Sequence, residues 1–211
     1  MKTNKKYLVT AIIILAFLVF AIILSNAIFY APSDEIPLPL ASVSVTGKIP
    51  ETSSSSIKTA EKISEGYPAV LSIPAIKVRA KVEQVGITSK GNMATPRIFR
   101  NVGWYKYGAI PGDLGSAVIA GHVDNGLGLG AVFSRLSELK QGDDIYITTD
   151  ENKTLHFIIA GSEVYDFNAK APEIFRGKDG KILRLITCTG TWLKEYRTRD
   201  KRLVVSAVLV E

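Results

Sequence analysis

The chain has 211 residues, a typical globular share of apolar side chains and a formal net charge of +6. This length predicts one ordinary domain plus an additional segment, and the composition excludes a chain that is disordered throughout. Beyond the N-terminus, basic residues are interspersed with acidic ones, so no charged block resembles a nucleic-acid-binding arm. The one cysteine and two histidines form no cluster with metal-ligand spacing, so no metal site is expected.

The first 30 residues predict a membrane anchor. Lys2, Lys5 and Lys6 precede a continuous apolar run, Leu8–Leu24. A run of about 20 such residues matches the hydrocarbon thickness of a bilayer, and the lysines favour a cytoplasmic N-terminus. A cleaved signal peptide is the alternative, although its apolar core is usually only about 7–15 residues long. We therefore expect residues 1–30 to form a cytoplasmic stub and a single transmembrane helix, which leaves the rest of the chain extracellular at the cell membrane.

Residues 31–66 differ in composition from the segments on either side. They contain four prolines and the run Ser53–Ser56, and they show little sustained apolar periodicity. Such a composition is typical of an extended, flexible linker. We expect this Pro/Ser-rich stalk to hold the following domain, residues 67–211, away from the membrane.

From residue 68 onward, short apolar or alternating segments predict β-strands. They cover residues 70–74, 76–82, 117–120, 144–148, 155–160, 182–187 and 202–208. One short helix is expected over residues 131–139. Because many short strands with little helix are typical of a barrel or a sandwich, the sequence predicts an all-β domain.

Cys188 is the first candidate for chemistry. It follows the apolar strand at 182–187, and a strand end holds a catalytic group on a rigid support. An inert buried thiol is the alternative, since cysteine is among the most buried residue types. A thiol exposed to oxidation outside the cell usually has a functional reason, which favours a reactive nucleophile.

His122 and His156 are the two candidates for proton exchange. Histidine is suited to this role because its ordinary pKa lies close to neutral pH. His122 lies just past the strand at 117–120 and follows a glycine, whereas His156 alternates within a strand and is expected to face outward. We therefore assign the acid/base role to His122 and expect no catalytic role for His156.

Arg202 opens the last predicted strand. Arginine stays charged at all relevant pH values and could stabilise the negative oxygen of a tetrahedral intermediate beside a thioester-forming cysteine. Arg197 and Arg199 lie close by and compete for this role. Arg184 shares the strand parity of Cys188 but lies deeper along its strand, so we rank it last.

These elements together resemble the signature of the sortase family. Leu185-Ile186-Thr187-Cys188, followed by the Arg-led strand 202–207, resembles the sortase cysteine and arginine elements. Ala120-Gly121-His122 resembles the sortase histidine element. Residues 71–76, 101–105, 111–112, 130–133 and 139–143 are also similar to the family, most closely to its class E and class F branches. The resemblance covers about residues 68–211.

The resemblance implies a fold, a reaction and a set of partners. Sortases fold as an eight-stranded β-barrel, here expected with one or two short helices and preceded by the transmembrane helix. They cut a C-terminal LPXTG-like sorting signal between Thr and Gly and join the Thr to an amine of a cell-wall precursor or a pilin lysine. The expected partners are therefore surface proteins that carry sorting signals, the amine acceptor and the membrane, and no nucleic acid is expected.

The family likeness also implies roles for individual residues. Cys188 would form the thioester, His122 would exchange the protons and Arg202 would stabilise the oxyanion. Thr187 resembles the family threonine that helps to hold the substrate. A third group that orients His122 is not evident, although Asp124 is close in sequence. No cofactor is expected, and stimulation by calcium is not excluded.

Two other functions fit part of the sequence. An L,D-transpeptidase is excluded, because such enzymes place Gly immediately before the cysteine and Arg two residues after it, and the residues around Cys188 do not. The second alternative is a non-enzymatic, membrane-tethered extracellular β-domain that binds a partner. It would explain the anchor, the stalk and the strands, but not why Cys188, His122 and Arg202 all lie at strand ends.

Overall fold

The computed structural model describes residues 5–29, 66–177 and 180–210, and it describes side chains of the first range only over residues 10–22. Helix α1 spans Lys5–Phe29. Among the described residues, no helix is long and apolar enough to cross a membrane. The predicted stalk, residues 31–66, lies outside the described residues except for Gly66.

Eight strands close into a barrel over the described residues from 66 onward. They are β1 (Pro68–Ile73), β2 (Val78–Val85), β3 (Val102–Tyr105), β4 (Gly115–Ala120), β5 (Asp144–Thr149), β6 (Thr154–Asp166), β7 (Lys181–Leu193) and β8 (Thr198–Leu209). Their order around the barrel is β1-β2-β3-β4-β7-β8-β6-β5. The predicted all-β class and eight-stranded barrel are thus confirmed.

Two of the eight strand pairings are parallel, β2 with β3 and β4 with β7. The others are antiparallel, including the long hairpin of β7 and β8. Because β4 and β7 run in the same direction, their carboxyl ends lie at the same edge of the barrel. This edge brings together chain segments that are more than 60 residues apart in sequence, such as Ala120 and its partner Ile186.

The interior of the barrel explains why these segments form strands. Ile145 and Ile147 of β5, and Leu183 and Leu185 of β7, are fully buried, and the residue before each of them is less buried. Period-two alternation places one set of side chains in the barrel core and the other on the outer surface. Strand β3 is different, because all four of its residues are buried and it shows no alternation of buried and less buried positions.

The helix expected over residues 131–139 is wrong. The chain there forms turns and a single 3-10 turn, Leu136–Glu138. The N–H groups of residues 131–133 donate to carbonyls of other segments, and the later bonds run to the carbonyl three residues back rather than four, as from Ser134 to Ala131 and from Leu136 to Phe133. The segment therefore folds as consecutive tight turns. A short helix, α2 (Pro172–Phe175), occurs instead between β6 and β7, and the sequence did not predict it.

A second apolar cluster lies on the outer surface of β4, β7 and β8. It is covered by α2 and by the long connection between β2 and β3, residues 86–101. Its members are Val85, Met93, Tyr105, Val118, Ala120, Ala171, Ile174, Ile186 and Val204. These contacts fix the two covering segments against the barrel on the side that carries Cys188.

Candidate active site

Three adjacent strands, β4, β7 and β8, bring the predicted site residues together. Cys188 on β7 is the direct cross-strand partner of Arg202 on β8. On the other side of β7, Ile186 pairs with Ala120, the last residue of β4. His122 and Cys188 each lie two residues beyond that pair, and the ladder continues between them, since the Gly121 N–H donates to the Ile186 carbonyl at 3.0 Å.

Cys188 therefore lies in the middle of the three. Neighbouring strands are about 4.8 Å apart, so Arg202 is one strand spacing from Cys188, and His122 follows the end of the neighbouring β4. Cys188 and Arg202 share the outer face, because alternation gives Cys188 the parity of Ile186 and Arg202 the parity of Val204, and His122 follows Ala120, which is on the same face, by two residues. Those reference residues belong to the outer cluster: Ala120, Ile186 and Val204.

The cysteine is accessible. The side chain of Cys188 is partly exposed, whereas Thr187 immediately before it is buried. Cys188 is thus not fully buried in the core. Its chemical reactivity stays a prediction.

His122 is buried, with only 4% of its surface exposed, and it is held by the connection between β2 and β3. Its Nε2 lies 3.0 Å from the main-chain carbonyl oxygen of Pro96. A carbonyl oxygen only accepts hydrogen bonds, so Nε2 carries the hydrogen. In the neutral ring Nδ1 is then the nitrogen without a hydrogen, and it is the one that can accept a proton. The Phe99 ring packs edge-on against the imidazole at a centroid distance of 5.0 Å.

The Pro96 carbonyl occupies the place that a carboxylate takes in a catalytic triad, where a third group holds the imidazole in one tautomer. Sequence reasoning missed it and considered Asp124. The structure gives Asp124 another partner, the Nη2 atom of Arg199. No sequence signal marks Pro96, because a main-chain carbonyl is present in every residue.

Gly121 and Thr187 fix the chain immediately before His122 and Cys188. A Cβ on Gly121 would come within 2.5 Å of the Phe133 ring, so this position has room only for glycine. The Phe133 N–H in turn donates to the His122 carbonyl at 2.9 Å. The hydroxyl of Thr187 donates to the Gly121 carbonyl at 2.8 Å and ties β7 to the end of β4. Substrate contact by Thr187 stays a prediction.

Arg202 is 6% exposed, and its guanidinium is held by its own hairpin. Nη1 donates to the carbonyls of Arg199 and Lys201 at 2.8 and 2.9 Å, and Nη2 donates to Thr198 Oγ1 at 2.8 Å. The Nε atom is buried and has no acceptor among the described residues. Three of the five N–H donors of the side chain are thus in use within the described part of the chain.

The other candidate arginines have different positions. Arg197 is exposed at the tip of the β7–β8 hairpin, in a left-handed conformation with φ 51°. Arg199 binds Asp124 and the Gly190 carbonyl rather than lying opposite Cys188. Arg184 donates to two serine hydroxyls, Ser116 and Ser206, farther down the outer face. The register therefore favours Arg202 as the arginine beside the thiol.

His156 lies on β6, which is not adjacent to β4 or β7. Its ring stacks on Tyr146 at a centroid distance of 4.7 Å, and its Nε2 lies 2.7 Å from Asp144 Oδ1. The structure thus places the two histidines on different parts of the barrel, and only His122 lies beside Cys188.

A small, shallow cavity, partly open to solvent, lies on the outer face next to Arg202. Its lining is mostly apolar and comes from β6, the connection to α2, α2 itself, β7 and β8: Tyr165, Asp166, Phe167, Ala169, Ala171, Ile174, Phe175, Ile186, Arg202 and Val204. The Tyr165 hydroxyl donates to Glu163, and this hydrogen bond, with partial burial, raises the pKa of Tyr165 to about 12. The phenol therefore stays neutral at physiological pH.

No group of three or more His, Cys, Asp and Glu side chains in the described part of the chain could hold a metal ion. The expectations about cofactors and calcium stay predictions.

The sortase domain model matches residues 71–210 of the chain. The chain belongs to the sortase family. Sortases are cysteine transpeptidases, and the match includes all three candidate residues, His122, Cys188 and Arg202. The comparison with curated proteins gives no match.

Solved sortase structures share the barrel of this sortase. Sortase A from Corynebacterium diphtheriae is 25% identical with a TM-score of 0.53, over 69% of this chain and 61% of that chain. A Clostridium perfringens sortase D5 transpeptidase is 25% identical with a TM-score of 0.52, over 69% of this chain and 79% of that chain. Sortase C-1 from Actinomyces oris, 22% identical over 68% of this chain and 71% of that chain, has a TM-score of 0.54 and shows the shared fold. The predicted likeness to classes E and F stays a prediction.

Proposed function

We propose that this sortase cleaves a C-terminal LPXTG-like sorting signal through a thioester on Cys188 and transfers the cut protein to an amine of the cell wall or of a pilin. The strand register carries the proposal. Cys188 lies opposite Arg202 in the register of β7 and β8, and the loop that carries His122 follows β4, the neighbour of β7 on its other side. A nucleophile, a proton carrier and a cation on one face are the groups that acyl transfer requires.

The proposed first half-reaction begins with the thiolate of Cys188, which attacks the Thr carbonyl carbon of the signal. The C–N bond to Gly then breaks, and the imidazolium of His122 gives its Nδ1 proton to the departing amine. In the second half-reaction the neutral imidazole takes a proton from the incoming amine, whose nitrogen attacks the thioester. The C–S bond breaks, and Cys188 is released as thiolate. No cofactor takes part in this sequence.

Arg202 is proposed to stabilise the tetrahedral intermediates. Its charge is independent of pH, and its position opposite Cys188 supports a role beside the carbonyl oxygen that becomes negative during the attack. The hydrogen bonds to Thr198 and to two main-chain carbonyls hold the group before the substrate arrives. Preorganised donors of this kind need no reorientation during the reaction.

The cavity beside Arg202 is proposed to receive the residues of the signal that precede the cleaved bond. Its apolar lining, for example Ile174, Ile186 and Val204, suits the Leu and Pro side chains of such a motif. Thr187 is proposed to assist binding indirectly, since its hydroxyl holds the Gly121 carbonyl and thereby the end of β4.

We further propose that the N-terminal segment is a retained single-pass membrane anchor with a cytoplasmic N-terminus and an extracellular barrel. All of the side chains described in α1, residues 10–22, are exposed, and the large apolar ones among them are between 48% and 74% exposed. A helix that is apolar on all sides avoids water when it lies in lipid. Protease protection of the N-terminus in sealed vesicles, with the barrel digested from outside, would support this orientation, and the reverse pattern would contradict it.

The proposed reaction is tested with the full chain in detergent and a panel of fluorogenic sorting-signal peptides, with and without an amine acceptor. We expect cleavage of at least one peptide, a transpeptidation product when the amine is present, and loss of both in Cys188→Ala. Turnover by Cys188→Ala near the wild-type rate would contradict the proposal. Alkylation of Cys188 separates the enzyme from a non-enzymatic tethered domain, because only a reactive thiol is alkylated rapidly and with a pH dependence.

A further inference from the structure

An ion pair spans the cleft just beyond the proposed catalytic residues. Arg199, near the start of β8, donates from Nη2 to Asp124 Oδ2 at 2.5 Å and from Nη1 to the Gly190 carbonyl at 2.7 Å. The side chains of Arg199 and Asp124 are 30% and 29% exposed, so the pair is largely shielded from water. Arg199 thus joins the loop after β4 to the β7–β8 hairpin.

Arg199 joins two segments directly beyond the proposed catalytic residues. Asp124 lies two residues after His122, and Gly190 lies two residues after Cys188. Immediately before His122 and Cys188 in sequence, the two segments are joined by the hydrogen bond from the Thr187 hydroxyl to the Gly121 carbonyl. Two residues after them, the segments are joined through Arg199. The segments that carry His122 and Cys188 are therefore joined to each other both before and after these two residues.

Arg199 also contacts the third proposed catalytic residue. Its main-chain carbonyl accepts a hydrogen bond from Nη1 of Arg202 at 2.8 Å. A shift of Arg199 would therefore move the acceptor that holds the Arg202 guanidinium as well as the loop that carries His122. One residue connects all three segments of the site.

We propose that Arg199 and Asp124 are positioning residues that clamp the His122 loop against the Cys188 strand and the Arg202 hairpin. This inference rests on the proposed function of Cys188 and His122. The clamp acts on geometry rather than on substrate binding, because Arg199 and Asp124 lie beyond the reacting groups. A misplacement of about 1 Å in such a site costs about a hundredfold in rate, so a modest loosening is enough to be measured.

The test compares Arg199→Ala, Asp124→Asn and the double variant in the full chain. We expect each single variant to lose about tenfold to a hundredfold in kcat with little change in KM, and the double variant to lose no more than the worse single one. Arg199→Lys keeps the charge but cannot bond Asp124 and Gly190 in the same way, so an intermediate loss is expected. Multiplying losses, wild-type activity in both single variants, or losses that follow a lowered melting temperature would overturn the clamp.

A peptide-independent readout separates failure of the clamp from failure of the proposed function. Alkylation of Cys188 by iodoacetamide near neutral pH reports how well the imidazole supports the thiolate. We expect alkylation to slow about tenfold in Arg199→Ala and to stay at the wild-type rate in Arg135→Ala, which removes only the exposed pair with Glu138. An unchanged rate in Arg199→Ala refutes the clamp, whereas a wild-type chain that cleaves no peptide refutes the proposed function.

Discussion

Replacement of Arg202 by alanine tests whether this side chain contributes more to catalysis than to the stability of the fold. The variant removes the guanidinium that lies opposite Cys188. Loss of one preorganised oxyanion donor typically costs about 10²–10³ in kcat, or about 2.7–4 kcal/mol. We therefore expect kcat for sorting-signal cleavage to fall by that factor, with a smaller change in KM.

The cost in stability follows from the hydrogen bonds of Arg202. Its three bonds contribute about 1 kcal/mol each, so their loss alone would cost about 3 kcal/mol. Its buried Nε has no described acceptor, and such an unsatisfied donor costs about 1–3 kcal/mol in the wild type. Because alanine removes this cost too, we expect the free energy of unfolding to fall by no more than about 2 kcal/mol.

The assay combines peptide turnover with urea unfolding of the same preparations. Arg197→Ala is the matched control, since Arg197 is exposed at the hairpin tip and should leave both quantities near the wild type. The reasoning is refuted if Arg202→Ala keeps more than about a tenth of wild-type kcat. It is also refuted if Arg197→Ala or Arg199→Ala loses more activity than Arg202→Ala does.

Three further predictions concern the groups around the site. His122→Ala should nearly abolish turnover, whereas His156→Ala should keep most of it, and comparable losses measured in the two variants would contradict the assignment. Gly121→Ala should lower the free energy of unfolding by about 1–3 kcal/mol, because the new Cβ would come within 2.5 Å of the Phe133 ring. Gly126→Ala, where nothing lies within 4 Å, should change it little, and equal effects in urea unfolding would refute the packing argument. Tyr165 has its pKa raised from 10.0 to about 12, so its bond to Glu163 stabilises the fold below pH 10 and is lost as the pH rises towards 12. Tyr165→Phe should therefore reduce the part of the alkaline loss of stability that falls in this range, and an unchanged pH profile of unfolding would contradict the shift.

The strands were predicted from two signals, alternation in segments such as β5 and a short apolar run in β4, whose residues from Ser116 to Ala120 are all buried. Alternation in β5 and the apolar run that begins β7 marked both strands correctly, although β7 extends to Leu193, well past the predicted end. Strand β3 gave no periodic signal because both of its faces are buried. The segment predicted as a helix at 131–139 forms tight turns instead, since its internal hydrogen bonds run to the carbonyl three residues back rather than four.

The site was predictable where chemistry resides in distinctive side chains. Cys188, His122 and Arg202 could be selected because a lone thiol, a histidine and an arginine at strand ends are uncommon together. The Pro96 carbonyl could not be selected, since main-chain groups carry no signal in the sequence. The pairing of Arg199 with Asp124 joins residues 75 positions apart and depends on the barrel register, which only the fold supplies.

Mass spectrometry of the full chain, quenched with acid during turnover of a sorting-signal peptide, tests the central claim most directly. The account predicts an adduct on Cys188 equal in mass to the peptide portion that ends at Thr, removed by addition of an amine and absent in Cys188→Ala. Cleavage of the peptide without any adduct on Cys188, or with an adduct on another residue, would contradict it.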